Sequence, residues 1–189
     1  MKGFTLIELI VTVFIASVLL GISISSWQHF VIKNHVSTLV NRLMSEIYFA
    51  RSEAIKRHIS IVLCPTSNRK NCGGQWNESH LIAVNSNNNS FDHHQAFLNV
   101  NSTLILRIEN PITKGTVLRW QSFANPSYII FTPFGFSKTQ NGTFIICPQN
   151  NDTHYAKAII INKIGRIRLS QDNDHDGIDE NAEGRALLC

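Results

Sequence analysis

Gly3-Phe4-Thr5-Leu6-Ile7-Glu8-Leu9-Ile10-Val11-Thr12-Val13-Phe14-Ile15-Ala16-Ser17-Val18-Leu19-Leu20 stands near the start of the chain, and from Phe4 to Ile24 the only charge is Glu8. About 20 apolar helical residues cross a hydrocarbon core of roughly 30 Å, so this stretch is long enough to span a bilayer. A secretory signal would run from a basic start through an apolar core to a small-residue cleavage site. Here Lys2, the one nearby basic residue, directly precedes Gly3, which puts the expected cut in front of the apolar stretch. An ionised carboxylate in lipid is costly and implies a partner. The partner expected for Glu8 is a positive group that also sits in the membrane.

Gly3-Phe-Thr-Leu-Ile-Glu8 followed by an apolar helix resembles the processing signature of type IV pilins and type II secretion pseudopilins. The resemblance implies that a prepilin peptidase cleaves after Gly3 and that Phe4 becomes an N-methylated terminus. It further implies that Glu8 pairs with the terminal amine of a neighbouring pilin subunit. Residues 1–3 would be the leader, shorter than is usual for that family, and 4–26 the transmembrane and assembly helix. The implied location is the inner membrane as a single-pass prepilin, then the pilus fibre, in the periplasm and at the cell surface.

With 189 residues, the chain has room beyond its apolar arm for one domain of ordinary size. Four cysteines in a short exported domain read as disulfides formed in an oxidising compartment. Three pairings are possible. Cys64 and Cys72 bracket the turn-forming Pro-Thr-Ser-Asn-Arg-Lys-Asn, which favours a small loop closed between them and leaves Cys147 for Cys189. A zinc site is disfavoured because no C-x-x-C occurs. The net charge is +4, but Asp172, Asp174, Asp176, Asp179, Glu180 and Glu183 lie together; setting these six aside from the 13 acids leaves 17 basic residues against 7. Such a basic remainder favours polyanionic partners.

Gly21 and the serines at 23, 25 and 26 weaken helix. Beyond them Val36, Leu39, Val40, Leu43, Ile47, Ala50 and Ala54 recur at helical spacing, predicting an amphipathic helix over 27–58 that lays one stripe on a sheet. Glu46 and Glu53 are placed among the polar surface residues of this helix. Short β-branched and aromatic runs follow at Ile59–Cys64, Leu81–Val84, Thr103–Ile108, Thr116–Gln121, Tyr128–Thr132, Thr143–Cys147 and Ala156–Asn162. Asn110-Pro111, Asn125-Pro126, Asn141-Gly142 and Ser86 to Ser90 read as the loops between them. The predicted fold is α+β and pilin-like: a long N-terminal helix on a meandering antiparallel β domain (59–169), then an acidic tail (170–189). His93-His94 lacks nearby companion ligands for a metal. No Gly-x-Ser-x-Gly, His-Glu-x-x-His or phosphate loop is present, so the reading is of a binding protein and not an enzyme.

Ser60-Ile-Val-Leu-Cys-Pro65, Cys72-Gly-Gly-Gln-Trp76 and Phe131-Thr-Pro-Phe-Gly135 resemble the GspH/FimT group of minor pilins and pseudopilins. Gly165-Arg166-Ile167-Arg168 is similar to the GRxR motif through which FimT proteins bind DNA in natural transformation. The resemblance implies double-stranded DNA as partner, with Arg166 and Arg168 as its contacts. In an extended segment residues two apart share a face; Gly165 permits a turn, Lys163 adds a third cation, and Ile164, Ile167 and Leu169 are expected to seat the segment. Guanidinium forks suit phosphate oxygens and read no bases. The alternative is a structural minor pilin or type II secretion pseudopilin that primes assembly without binding DNA.

The acidic stretch also fits a calcium loop: Asp172-Asn-Asp174-His-Asp176-Gly177, then Glu183 after five residues, is D-x-D-x-D-G-x5-E. Side-chain oxygens of Asp172, Asp174 and Asp176, the Ile178 carbonyl and a bidentate Glu183 would surround one Ca2+ in a structural role. Flanking helices are not evident in the sequence, which argues against a regulatory EF-hand. Six unneutralised acids so near Arg168 would repel phosphate, and calcium is expected to offset this and raise DNA affinity.

Overall fold

The computed structural model describes residues 3, 5–70, 72–77, 79–85, 105–111, 115–122, 127–137 and 141–189, with the backbone alone at 22–26. Phe4, the His93-His94 pair, the Ser86–Ser90 and Asn125-Pro126 loops and the start of the expected Thr103 strand lie outside the described residues. One helix, α1, runs unbroken from Leu6 to Arg57. Its N-terminal turn is capped by Thr5, whose Oγ1 accepts the N–H of Glu8 at 3.4 Å, as favoured caps do. Gly21 and the serines weaken helix propensity without ending the element, because each costs a fraction to about 1 kcal/mol against a long cooperative run.

The chain divides into two compact units, residues 1–35 and 36–189. In the first, Leu6, Ile7, Leu9, Ile10, Val13, Phe14, Leu19 and Leu20 are exposed, and a helix apolar all round requires burial in lipid or in other helices. Among the described residues no helix is long and apolar enough to cross a membrane. The expected span over 4–26 runs through 22–26, whose side chains are not described.

In the second unit the predicted stripe is the core: Val36, Leu39, Val40, Leu43, Ile47, Ala50 and Ala54 are all buried. The strands are β1 (Ile61–Thr66), β2 (His80–Asn85), β3 (Ile105–Glu109), β4 (Thr116–Ser122), β5 (Ile129–Phe131), β6 (Gly142–Pro148), β7 (Lys157–Ile161) and β8 (Ile167–Leu169). They form two four-stranded sheets, β3-β2-β1-β5 and β4-β6-β7-β8, with every strand pair antiparallel. The succession of short runs and turn signals predicts one meander. Instead β5 returns to pair with β1, which places Phe131 opposite Ile61, while β4 pairs ahead to β6.

Alternation along each strand splits its side chains between two faces. Ile61, Leu63, Leu81, Phe131, Phe144, Ile146, Ile159, Ile161 and Ile167 join the helix stripe in one cluster. The opposite faces are covered too. Val62, Cys64, Ile82, Val84 and Ile130 pack with Cys72 and Tyr128, and Ile145, Cys147 and Ala158 pack with Leu187 from the tail. Disulfides join Cys64 to Cys72 across 8 residues and Cys147 to Cys189 across 42.

Two acids assigned to the helix surface are buried. Glu46, 2% exposed, accepts from Arg107 of β3 at 2.9 Å, and Glu53 pairs with Arg57 one helical turn on. Arg107 also lies 5.0 Å from the Phe49 ring centroid, and Arg42 Nε donates to Glu109 at 2.9 Å, so ion pairs fasten β3 to α1. Burial raises the Glu46 pKa, opposed by the Arg107 charge. A carboxyl raised in the folded state stabilises below its unfolded value and loses that contribution as pH climbs through the folded value. Comparing melting temperatures of the wild type and Glu46→Gln, the wild type is expected to lose ground to the variant as pH rises above 4.5; a pH-independent difference would contradict this assignment.

Candidate nucleic-acid interface

Strands β7 and β8 are joined by a tight turn. Gly165 N–H donates to Asn162 O at 2.9 Å and Asn162 N–H to Arg166 O at 3.1 Å, while the Asn162 side chain accepts from Arg166 N–H at 2.8 Å. Gly165 has φ 74°, a value that an L side chain seldom adopts. Space also excludes a side chain, since a Cβ there would lie 1.9 Å from the carbonyl oxygen of Gly135. The glycine therefore serves a backbone-to-backbone approach as well as the expected turn.

Opposite the turn, loop 132–137 folds on itself through Thr132 N–H to Phe136 O and Gly135 N–H to Thr132 O, both 2.8 Å. Ser137 then binds the turn, its N–H donating to Lys163 O at 3.1 Å and its hydroxyl to Asn162 O at 3.1 Å. Arg51 of α1 closes the arrangement by donating from Nε to Gly135 O at 3.0 Å. Neither Arg51 nor Ser137 was legible as a site residue, because their partners are distant in sequence.

Lys163, Arg166 and Arg168 are exposed, and none has an ion-pair partner among the described residues. Ile167 between the arginines is buried and turns them to the opposite face, as the two-residue repeat requires. Two expected anchors do not seat the segment: Ile164 is 59% exposed at the turn and Leu169 37% exposed on the sheet edge. Gln121, Thr143, Ile160 and Arg168 form a cross-strand row in a groove of about 560 Å³ that Ala182 and Glu183 also line.

The tail is not a string of six free acids. Asp179 is buried, binding Lys157 Nζ at 2.7 Å and accepting the Ser170 hydroxyl at 2.6 Å. Glu180 is also buried and accepts the Asn173 N–H at 2.9 Å. Glu183 pairs with Arg185. The repulsion expected to face Arg168 is reduced accordingly.

Asp172, Asp174 and Asp176 do converge, with one oxygen from each lying within 4.8 Å of the others. Backbone N–H groups orient them: His175 and Gly177 donate to Asp172 at 2.7 and 3.0 Å, Asp176 to Asp174 at 3.2 Å, and Ile178 to Asp176 at 2.7 Å. The Asp176 N–H lowers the Asp174 pKa, but desolvation and the charges of Asp176, Glu180 and Asp172 outweigh it and the net direction is upward. Glu183, expected as the last ligand, is not in this group. Gly3 and Glu8 are exposed, and Glu8 has no ion-pair partner among the described residues.

A helix that is apolar over its first turns and amphipathic where it meets antiparallel sheets defines a type IV pilin-like protein. The chain belongs to the GspH family, described as type II transport protein GspH, which matches residues 39–165; the prokaryotic N-terminal methylation motif matches residues 1–24. The chain is 32% identical over 116 residues to the type IV major fimbrial protein FimA of Dichelobacter nodosus, covering 59% of this chain and 69% of FimA. The crystal structure of the type IV minor pilin FimU of Pseudomonas aeruginosa shares the fold, with a TM-score of 0.53 at 19% identity over 75% of this chain and 92% of FimU.

Replacing Gly165 by Ala would force the turn and loop 132–137 apart. Amide exchange at residues 134–137 and 163–166 is expected to accelerate by at least about tenfold, the equivalent of roughly 1.4 kcal/mol, while β1 and β2 keep their protection. Unchanged exchange at the turn would show that the approach to Gly135 O is not maintained.

Proposed function

We propose that this protein is a minor type IV pilin that binds double-stranded DNA without sequence preference, for uptake in natural transformation. The observation that supports this reading is the exposed set Lys163, Arg166 and Arg168, without an ion-pair partner among the described residues, on a turn braced from two sides. Unpaired guanidinium groups are free to meet phosphate, and contacts of this kind hold DNA without reading bases. In this reading Gly3 is the peptidase site and Phe4 the methylated terminus. The chain waits in the inner membrane as a single-pass prepilin, and Glu8 engages the terminal amine of an adjoining subunit on assembly.

Three phosphate contacts imply a log-log salt slope of about −2 to −3. Titration of duplex DNA with the wild type and with Arg166→Gln plus Arg168→Gln is expected to show strong loss in the variant and a flatter salt dependence. Equal binding by the two proteins would remove the arginines from the function and favour the structural reading, a subunit that primes a pilus or pseudopilus. Deletion separates the same alternatives in cells, through loss of DNA uptake against loss of fibres or secretion.

Calcium forms part of the proposal as a structural ion. The donor set at Asp172, Asp174 and Asp176 suits a hard cation, with the Ile178 carbonyl at the seventh loop position; Glu183 would have to exchange Arg185 for the ion to complete the shell. Such a site belongs to the weak extracellular class, with dissociation constants of about 0.1–1 mM. Calorimetry with Ca2+ is expected to show binding in that range that Asp174→Asn abolishes, and DNA affinity is expected to rise with calcium. A flat trace would dispose of the site.

A further inference from the structure

The basic turn has an aromatic neighbour. Loop 132–137, bonded to the turn through Ser137 and closely approached by Gly165 at Gly135, carries Phe134 at 79% and Phe136 at 50% exposure, with ring centroids 6.4 Å apart and planes inclined by 35°. Beside them on the turn, Ile164 is exposed as well. Large apolar side chains gathered this way on a surface mark a binding site. Charge indicates the occupant: Thr132-Pro-Phe-Gly-Phe-Ser137 and Asn162-Lys-Ile-Gly-Arg166 contain two cations and no acid, and Arg51 sits behind Gly135.

Intact duplex hides the faces of its bases and offers phosphates, which the cations alone can meet. Unpaired strands expose base faces as well, and sites for them combine a basic track with aromatic rings. Resting on the DNA-binding reading above, we propose that Phe134 and Phe136 form a stacking platform for unpaired bases next to Lys163 and Arg166. The protein then holds single-stranded DNA, or the frayed end of a duplex, more tightly than duplex interior. Ser137 bonds to Lys163 O and Asn162 O and so holds the backbones that carry the rings and the cations side by side. The backbone ordering that would oppose binding is thereby reduced.

The test is fluorescence anisotropy with the full-length chain in detergent at low salt, titrating an oligothymidine strand and a closed-ended hairpin duplex with the same number of phosphates. Wild type, Phe134→Ala plus Phe136→Ala, Phe134→Leu plus Phe136→Leu, and Arg166→Gln plus Arg168→Gln are compared, with thermal melts confirming that each is folded. The wild type is expected to favour the single strand. Both phenylalanine variants are expected to lose about tenfold or more of that affinity, because stacked rings carry much of the binding of unpaired bases, with duplex affinity changing less than about twofold. The leucine variant keeps apolar bulk, so its loss points to ring faces. Arginine-dependent duplex binding with unchanged single-strand binding by the phenylalanine variants would overturn the platform and leave the DNA reading standing. Absence of wild-type binding to either form would overturn both. Loss of fibre assembly in the phenylalanine variants with DNA binding intact would assign the rings to a subunit interface instead.

Discussion

The interaction on which residues 36–189 depend is the seam between the α1 stripe and the inner faces of two sheets. Leu43, Ile47, Ala50 and Ala54 are fully buried there, and fully burying a side chain the size of Leu43 or Ile47 contributes roughly 1.5–3 kcal/mol. Big residues occupy the middle of the stripe and small ones its end. The small end matters for the site, because Arg51 and Ile55 flank it and both reach Gly135. The packing that builds the core thus also sets the height at which loop 132–137 rests, and through it the β7–β8 turn.

Much of this was legible in the sequence because it is local. Helical periodicity from Val36 to Ala54 named the core residues of α1, and each predicted β run overlaps a strand. Strand order was not legible, since period-two alternation says which face a residue takes but not which neighbour it meets. Nor did the pattern reveal that Glu46 and Glu53 are buried. For Glu46 the compensating Arg107 lies far along the chain, and hydropathy alone places an unpaired acid on the surface.

The site shows the same division. Gly165-Arg166-Ile167-Arg168 was visible as a motif, and the alternation that exposes its arginines follows from strand geometry. That Ile164 and Leu169 face solvent depends on their places at a turn and on an edge strand. The acidic tail was read as one charge cluster, whereas the fold sorts it. Asp179 and Glu180 are drawn inward to Lys157, Ser170 and Asn173, Glu183 turns to Arg185, and three aspartates remain together outside. Spacing picks out that trio and adds Glu183 as the last ligand, whereas in the fold Glu183 pairs with Arg185.

The Cys147–Cys189 bridge joins the final stretch to a central strand across 42 residues, and the exposed aspartate loop lies between its ends. A protease that clipped this loop would sever the polypeptide without releasing the fragment. Leu187 would stay tethered over Ile145 and Ala158, so a single nick costs the molecule continuity of chain but not its lining.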